Sequence, residues 1–181
     1  SEGVGVGVMI HGELLRGRNN VAGDFGHVPL SLDGPRCSCG AHGCWEAYIS
    51  NRATLARYFG QPVNHEVLPS EIPQFTIEDL IARARSRDAK AAAAIETTAR
   101  YLGVGLAAMI NTFDPDALIV GGGALEADKA FQQWCIDEIR TGMPPQREEQ
   151  ADIPIHVMPN GDTAGARGAA MEALKALRSA P

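Results

Sequence analysis

Three of the chain's four cysteines fall within eight residues, inside the stretch GHVPLSLDGPRCSCGAHGCWE that runs from Gly26 to Glu46. Cys37, Cys39 and Cys44 follow the pattern C-x-C-x4-C, and nine residues separate His27 from Cys37. Three thiolates and one imidazole match the tetrahedral, soft-donor demand of zinc. Pro35, Gly40 and Gly43 allow the backbone to fold back so that the sulfurs converge on one point. Four protein ligands fill the shell and leave no position for an activated water. The expected metal is therefore structural, pinning a loop with little apolar content of its own. The alternative is three unrelated, reduced cysteines in a loop, which fits poorly with the burial of single free cysteines in cores. Cys135, beside Trp134, reads as such a core cysteine. His11, His42, His65 and His156 stand in no ligand pattern and read as surface or internally satisfied histidines.

At 181 residues the chain has room for one ordinary core, and its 45% hydrophobic and 21% charged residues fit a soluble globular domain. A net charge of -6 excludes a nucleic-acid surface on this segment, because phosphate binding needs a basic face. No apolar run reaches the length of a membrane span, and no signal peptide opens the chain. The cysteine spacing is not that of a secreted disulfide framework, so a reducing cytoplasm is the expected location. Ser1 leads directly into GVGVGVMI, which reads as the interior of a structural element and hence as part of a longer protein.

Along the chain, residues 4–10 read as a strand whose glycine face lies close to a neighbour. His11-Gly12 is a turn, ELLR the return strand, and HVPL a third short strand. A helix is expected from about Cys44 to Phe59, then a proline-bearing excursion over 60–75. Thr76 with Asp79 forms a capping box, and Asp88 caps a long helix that ends before Pro115. DALIVGGG is a buried strand and glycine turn, followed by a helix near 126–140 with Phe131, Trp134, Ile136 and Ile139 on its apolar positions. IPIHVM is a last strand, PNGDTAG a loop, and 164–178 a closing helix. Strands followed by helices and then alternating strand and helix predict an α/β domain with a mixed sheet, occupying 1–181 as one unit.

AGDFGH followed by CSCGAHGCWE closely resembles the signature of the ROK family of bacterial repressors and sugar kinases, whose usual form is A-G-E-x-G-H and then C-x-C-G-x-x-G-C-x-E. GVGVGV, DPDALIVGGG and NGDTAGARGAA extend the resemblance over nearly the whole chain. It implies an actin-like (ribonuclease H-like) lobe, here the C-terminal one, in which the histidine and three cysteines bind zinc. It also implies a carbohydrate-binding loop at 24–46, with Asp24, His27 and Glu46 against the sugar. Ionised carboxylates suit paired hydroxyls, since each accepts charge-assisted bonds from two at once. Asp24 departs from the usual glutamate and is shorter by one methylene, which bears on reach or sugar preference.

Gly5 and Gly7 resemble a kinase phosphate loop, and a glycine-rich strand against a helix would read the same. Gly121, Gly122 and Gly123 resemble the turn near adenosine in the kinases, or a plain strand-to-helix turn. Asp162 suits either a ligand or the cap of the last helix. The general base and first phosphate loop of the kinases belong to the N-terminal lobe, and neither occurs here, so the chain alone is expected to be inactive. The resemblance thus implies two parents. One is a sugar-responsive regulator, dimeric through its helices and the apolar surface around Trp134, that meets DNA only through an upstream domain. The other is a hexose or N-acetylhexosamine kinase using ATP and magnesium. GCWEAYISNRATLARYF and RGAA favour the regulator, whereas GDTAG favours the kinase. A zinc-stabilised interaction domain without a ligand is a third reading, and it leaves Asp24 and Glu46 unexplained.

Overall fold

The computed structural model describes residues 3–63 and 75–179. Helix α4 (Ala89–Phe113, 25 residues) is the spine. Around it pack α2 (Asn51–Phe59), α3 (Ile77–Arg85) and α5 (Lys129–Thr141), which bury Leu80, Ile95, Leu106, Ile110, Cys135 and Ile139 in a common core. The helix boundaries follow the side chains that satisfy their first amides. Thr76 and Asp79 form the capping box of α3, and Asp88 accepts from the Lys90 and Ala91 amides at the start of α4. Asp128 does the same for α5. Asp114 ends α4 in the left-handed region at φ 44°, just before Pro115.

Two glycines inside α4 set how closely its neighbours approach. A Cβ at Gly103 would overlap the Ile139 carbonyl of α5, and one at Gly105 would overlap the indole of Trp45. Glycine in a helix interior costs about 1 kcal/mol relative to alanine, and here the close contacts offset that cost.

The predicted hairpin is present: β1 (Met9–Ile10) pairs antiparallel with β2 (Glu13–Leu14). Its turn residues His11 and Gly12 have φ of 51° and 79°, the paired positive values of a tight hairpin turn. Strand β3 (Leu118–Val120) pairs in parallel with β4 (Ile155–Val157). The two ladders remain separate among the described residues, so the strands do not merge into the single mixed sheet expected from the sequence. Residues 4–8 explain part of this difference. They belong to no strand and pack against the 22–26 loop and Glu46 instead of joining a wider ladder.

Three further boundaries differ from the sequence reading. HVPL is not a strand: Phe25–His27 form a 3-10 turn, and only Pro29 bridges to Cys44. The helix after the cysteines is broken at Ser50, which ends α1 (Glu46–Ile49) and caps α2 by accepting from the Ala53 amide. Helix α6 (Gly161–Ser179) starts three residues early, which puts Asp162 in its first turn instead of at its cap. Residues 64–74, with His65, Pro69 and Pro73, lie outside the described residues. No described helix is long and apolar enough to cross a membrane.

Candidate metal centre

The 28–45 segment closes on itself as an antiparallel clip. The Trp45 amide donates to the Val28 carbonyl at 2.9 Å and the Leu30 amide to Gly43 at 2.7 Å. Further in, the Gly43 amide donates to Pro35 and the Cys37 amide to Ala41, both at 2.8 Å. Gly43 sits at φ 69° with the Ser31 carbonyl where a Cβ would be, so glycine alone fits this crossing.

The clip gathers the predicted ligands. One donor atom from each of His27, Cys37, Cys39 and Cys44 lies within 4.8 Å of every other. Zinc–sulfur bonds of about 2.3 Å and zinc–nitrogen bonds of about 2.0 Å in a tetrahedron require sulfur–sulfur edges of about 3.8 Å and nitrogen–sulfur edges of about 3.5 Å. Cys39 and Cys44 Sγ are 3.7 Å apart, and Cys37 Sγ is 3.5 Å from His27 Nδ1. The donor set therefore fits a tetrahedral zinc, with Nδ1 as the ligating nitrogen.

The thiols do not share one environment. The Ala41 amide, foremost, lowers the Cys39 thiol below its ordinary value, helped by the neighbouring cysteines. Burial, and then its two sulfur neighbours, push Cys44 up to about 12. A divalent cation held by these donors would supply counter-charge to the crowded sulfurs. Cys135 is separate: it is buried under the Ala124 carbonyl, and burial pushes its thiol up to about 12, as suits a core residue. His42 is satisfied by donating from Nδ1 to the Gly34 carbonyl at 3.2 Å, and His156 is an exposed residue of β4.

Both predicted carboxylates adjoin this cluster. Asp24 precedes the 3-10 turn, its side chain 67% exposed, with Oδ1 3.9 Å from His27 Nε2. Glu46 is buried, only 8% exposed, and both of its oxygens are engaged. Oε2 accepts from the Val4 amide at 3.0 Å, and Oε1 from the Ser38 hydroxyl at 3.3 Å, with Cys37 Sγ at 4.0 Å. Asp24, His27, Cys37 and Glu46 thus form one contiguous run of polar side chains. Trp45 seats the run on the helical core: its indole N–H donates to the Tyr101 carbonyl at 2.8 Å over Gly105. The sequence reading had not found Ser38, Val4 or the Trp45–Gly105 joint. Only the last carried a signal, the Gly-Val-Gly interruption of an otherwise strong helix.

The glycine clusters lie elsewhere. A side chain at Gly5 would meet nothing within 4 Å, and one at Gly7 only Leu14 at 3.8 Å. The neighbour expected against the strand's glycine face is absent among the described residues. Gly23 and Gly26 make the close approach instead, against the Val6 and Val4 carbonyls. Gly121, Gly122 and Gly123 form the turn from β3 into a 3-10 helix (Gly123–Glu126), with Gly122 at φ 152°. Gly121 packs near Gly161 at the start of α6, where the Gly161 amide donates to Glu126 at 2.6 Å. That turn sits at the carboxyl ends of two parallel strands, the usual ligand edge of α/β sheets.

Residues 1–176 match the family model described as "ROK family". The chain is 32% identical over 146 residues to the xylose repressor of Bacillus spizizenii, covering 81% of this chain and 35% of the repressor. It is 33% identical over 181 residues to an N-acetyl-D-glucosamine kinase of Yersinia pseudotuberculosis, covering 93% of this chain and 54% of the kinase. The solved ROK glucokinase of Streptomyces griseus, in complex with glucose and AMPPNP, superposes with a TM-score of 0.77 at 32% identity, over 93% of this chain and 56% of the glucokinase. The chain therefore spans roughly a third to a half of the length of these relatives. Matched along almost its whole length and carrying the clustered His27, Cys37, Cys39 and Cys44, the chain belongs to the ROK family.

Proposed function

We propose that this chain is the sugar-sensing effector part of a ROK-type transcriptional regulator, with a zinc-stabilised carbohydrate site at residues 24–46. The observation that supports a sugar site is the contiguity of Asp24, His27 and Glu46 with the four-ligand cluster. Asp24 and Glu46 accept from sugar hydroxyls, and His27 bonds the sugar through Nε2 while Nδ1 faces the sulfurs. His27, Cys37, Cys39 and Cys44 hold the zinc, whose closed shell supplies rigidity to the loop and no reactive water. The likeness to a xylose repressor supports the regulator, as does the resemblance of GCWEAYISNRATLARYF to that branch.

In a regulator, sugar shifts a population. A ligand that contacts two lobes favours one closure angle, by no more than its difference in affinity for the two states. The altered closure reorients DNA-binding segments carried upstream in a cytoplasmic homodimer. The second reading, the C-terminal lobe of an ATP- and magnesium-dependent sugar kinase, draws support from the open space beside Gly5 and the glycine turn at 121–123. Backbone amides in such positions can approach phosphates closely.

The test uses the full-length protein that carries this chain. Sugar binding is followed by calorimetry, and ADP release is measured with MgATP across hexoses and N-acetylhexosamines. Binding without turnover supports the regulator, turnover establishes the kinase, and neither refutes the sugar site.

A further inference from the structure

Glu46 is a buried carboxylate beside Cys37, one of the four clustered donors. Cys37 Sγ lies 4.0 Å from Glu46 Oε1, the outer limit of a sulfur hydrogen bond, and a cysteine sulfur is a weak partner at that distance. Among the described residues this leaves two donors on the carboxylate, the Val4 amide on Oε2 and the Ser38 hydroxyl on Oε1. Ser38 occupies the position between Cys37 and Cys39, and its Oγ is 3.8 Å from Cys37 Sγ and 3.3 Å from Glu46 Oε1. Its backbone is fixed by the two flanking ligands, so its hydroxyl is carried by the metal loop.

We infer that Ser38 is a positioning residue for the sugar carboxylate: it ties the metal loop to Glu46 Oε1 and, with the Val4 amide on Oε2, fixes the plane of that carboxylate toward an incoming hydroxyl. The inference rests on the sugar-site reading and assigns Ser38 a part in it. A carboxylate held at one oxygen alone can rotate about its terminal torsion, which is broad and weakly restrained. Held at both, it presents its remaining lone pairs in one orientation. Ser38 is exposed as a whole residue, so its replacement leaves the core and the clip intact. The link also explains how a closed-shell metal bears on sugar affinity without touching Glu46.

The experiment is calorimetry on the full-length protein with D-glucose, D-xylose and N-acetyl-D-glucosamine, using wild type, Ser38→Ala, Ser38→Thr and Glu46→Gln, with bound zinc measured for each. The expected result for Ser38→Ala is an affinity about tenfold weaker at unchanged zinc content, the scale of one hydrogen bond to a charged group. Ser38→Thr, which restores the hydroxyl, returns the affinity to that of wild type. Glu46→Gln weakens binding more than Ser38→Ala does. If Glu46→Gln weakens binding and Ser38→Ala does not, the positioning role is overturned while the sugar site stands. A loss in Ser38→Ala that comes with lost zinc, or that Thr does not restore, also overturns it. If wild type binds none of the three sugars, or Glu46→Gln binds like wild type, the sugar-site reading falls and takes this inference with it.

Discussion

The 24–46 loop and the α3–α5 bundle are held by different forces. The bundle buries leucine, isoleucine and alanine around α4, and its polar groups mainly cap helix ends. The loop has few apolar contacts and keeps its shape by a ladder of backbone bonds, a glycine crossing and four converging side chains able to hold a metal. Burial is spread over many contacts, so a bundle tolerates the loss of one. A clip closed around a single point loses its shape when that point goes. The two parts meet at Trp45 on Gly105, next to Glu46, so the carboxylate proposed to meet the sugar depends on both.

The largest effect expected from this contrast is on metal removal. Chelation of the full-length protein is expected to abolish sugar binding and to accelerate amide exchange across 28–45, while the amides of α4 stay protected. Cys37→Ser is expected to do the same. Uniform loss of protection along the chain would show that the two parts are one cooperative unit, and unchanged sugar affinity would detach the metal from the site.

Next in size are the glycines of the joint. Gly103→Ala and Gly105→Ala each gain helix propensity but force an overlap, with the Ile139 carbonyl and the Trp45 indole respectively. Overpacking of this kind costs about 2–3 kcal/mol, more than the helix gain of about 1 kcal/mol. Denaturant unfolding is expected to show a similar loss for both. Only Gly105→Ala is expected to weaken sugar binding as well, because it unseats the residue beside Glu46. Equal sugar affinity in the two variants would break the proposed joint.

A smaller contrast lies among the cysteines. Cys135→Ala removes a buried sulfur that touches no ligand, and is expected to lower stability by about 1 kcal/mol with zinc content unchanged. A loss of zinc in that variant would contradict the separation of the two cysteine environments.

What could be read from the sequence follows the range of each interaction. The capping box at Thr76, the cap at Asp88 and the His11-Gly12 turn depend on residues within three or four positions, and all are found as expected. The clustering of His27, Cys37, Cys39 and Cys44 was legible because three cysteines at so short a spacing are brought together by one loop. The break at Ser50 was missed because the apolar spacing of Trp45, Ile49, Leu55 and Phe59 runs straight through it. The glycine strand misled for a different reason. A glycine shows that the backbone is free to approach something, but not whether anything stands there, and Gly5 faces open space while Gly23 and Gly26 make the contacts. The separation of β1–β2 from β3–β4, and the bond from Ser38 to Glu46, depend on non-local packing with no local signature.

The smallest effect concerns acid. The Asp88 carboxyl is held below the usual aspartate range, foremost by the Ala91 amide it caps, and also by the Tyr58 hydroxyl, the Lys90 amide and the Arg83 charge. Asp128 is lowered similarly, first by the Phe131 amide and then by Arg85. A carboxyl whose folded value is depressed contributes stability above its unfolded pKa of about 3.9, and loses it as pH falls through the folded value. The bundle is therefore expected to weaken only below about pH 4 on account of these caps. The proposed metal site would depend on deprotonated ligands, so metal release from the loop is expected at a higher pH. Asp88→Asn keeps an equally good cap and removes the ionisation, so α4 amide protection in that variant is expected to fall less steeply in acid than in wild type. If protection of α4 and zinc occupancy instead decline together along one pH curve, the bundle and the loop do not come apart separately in acid.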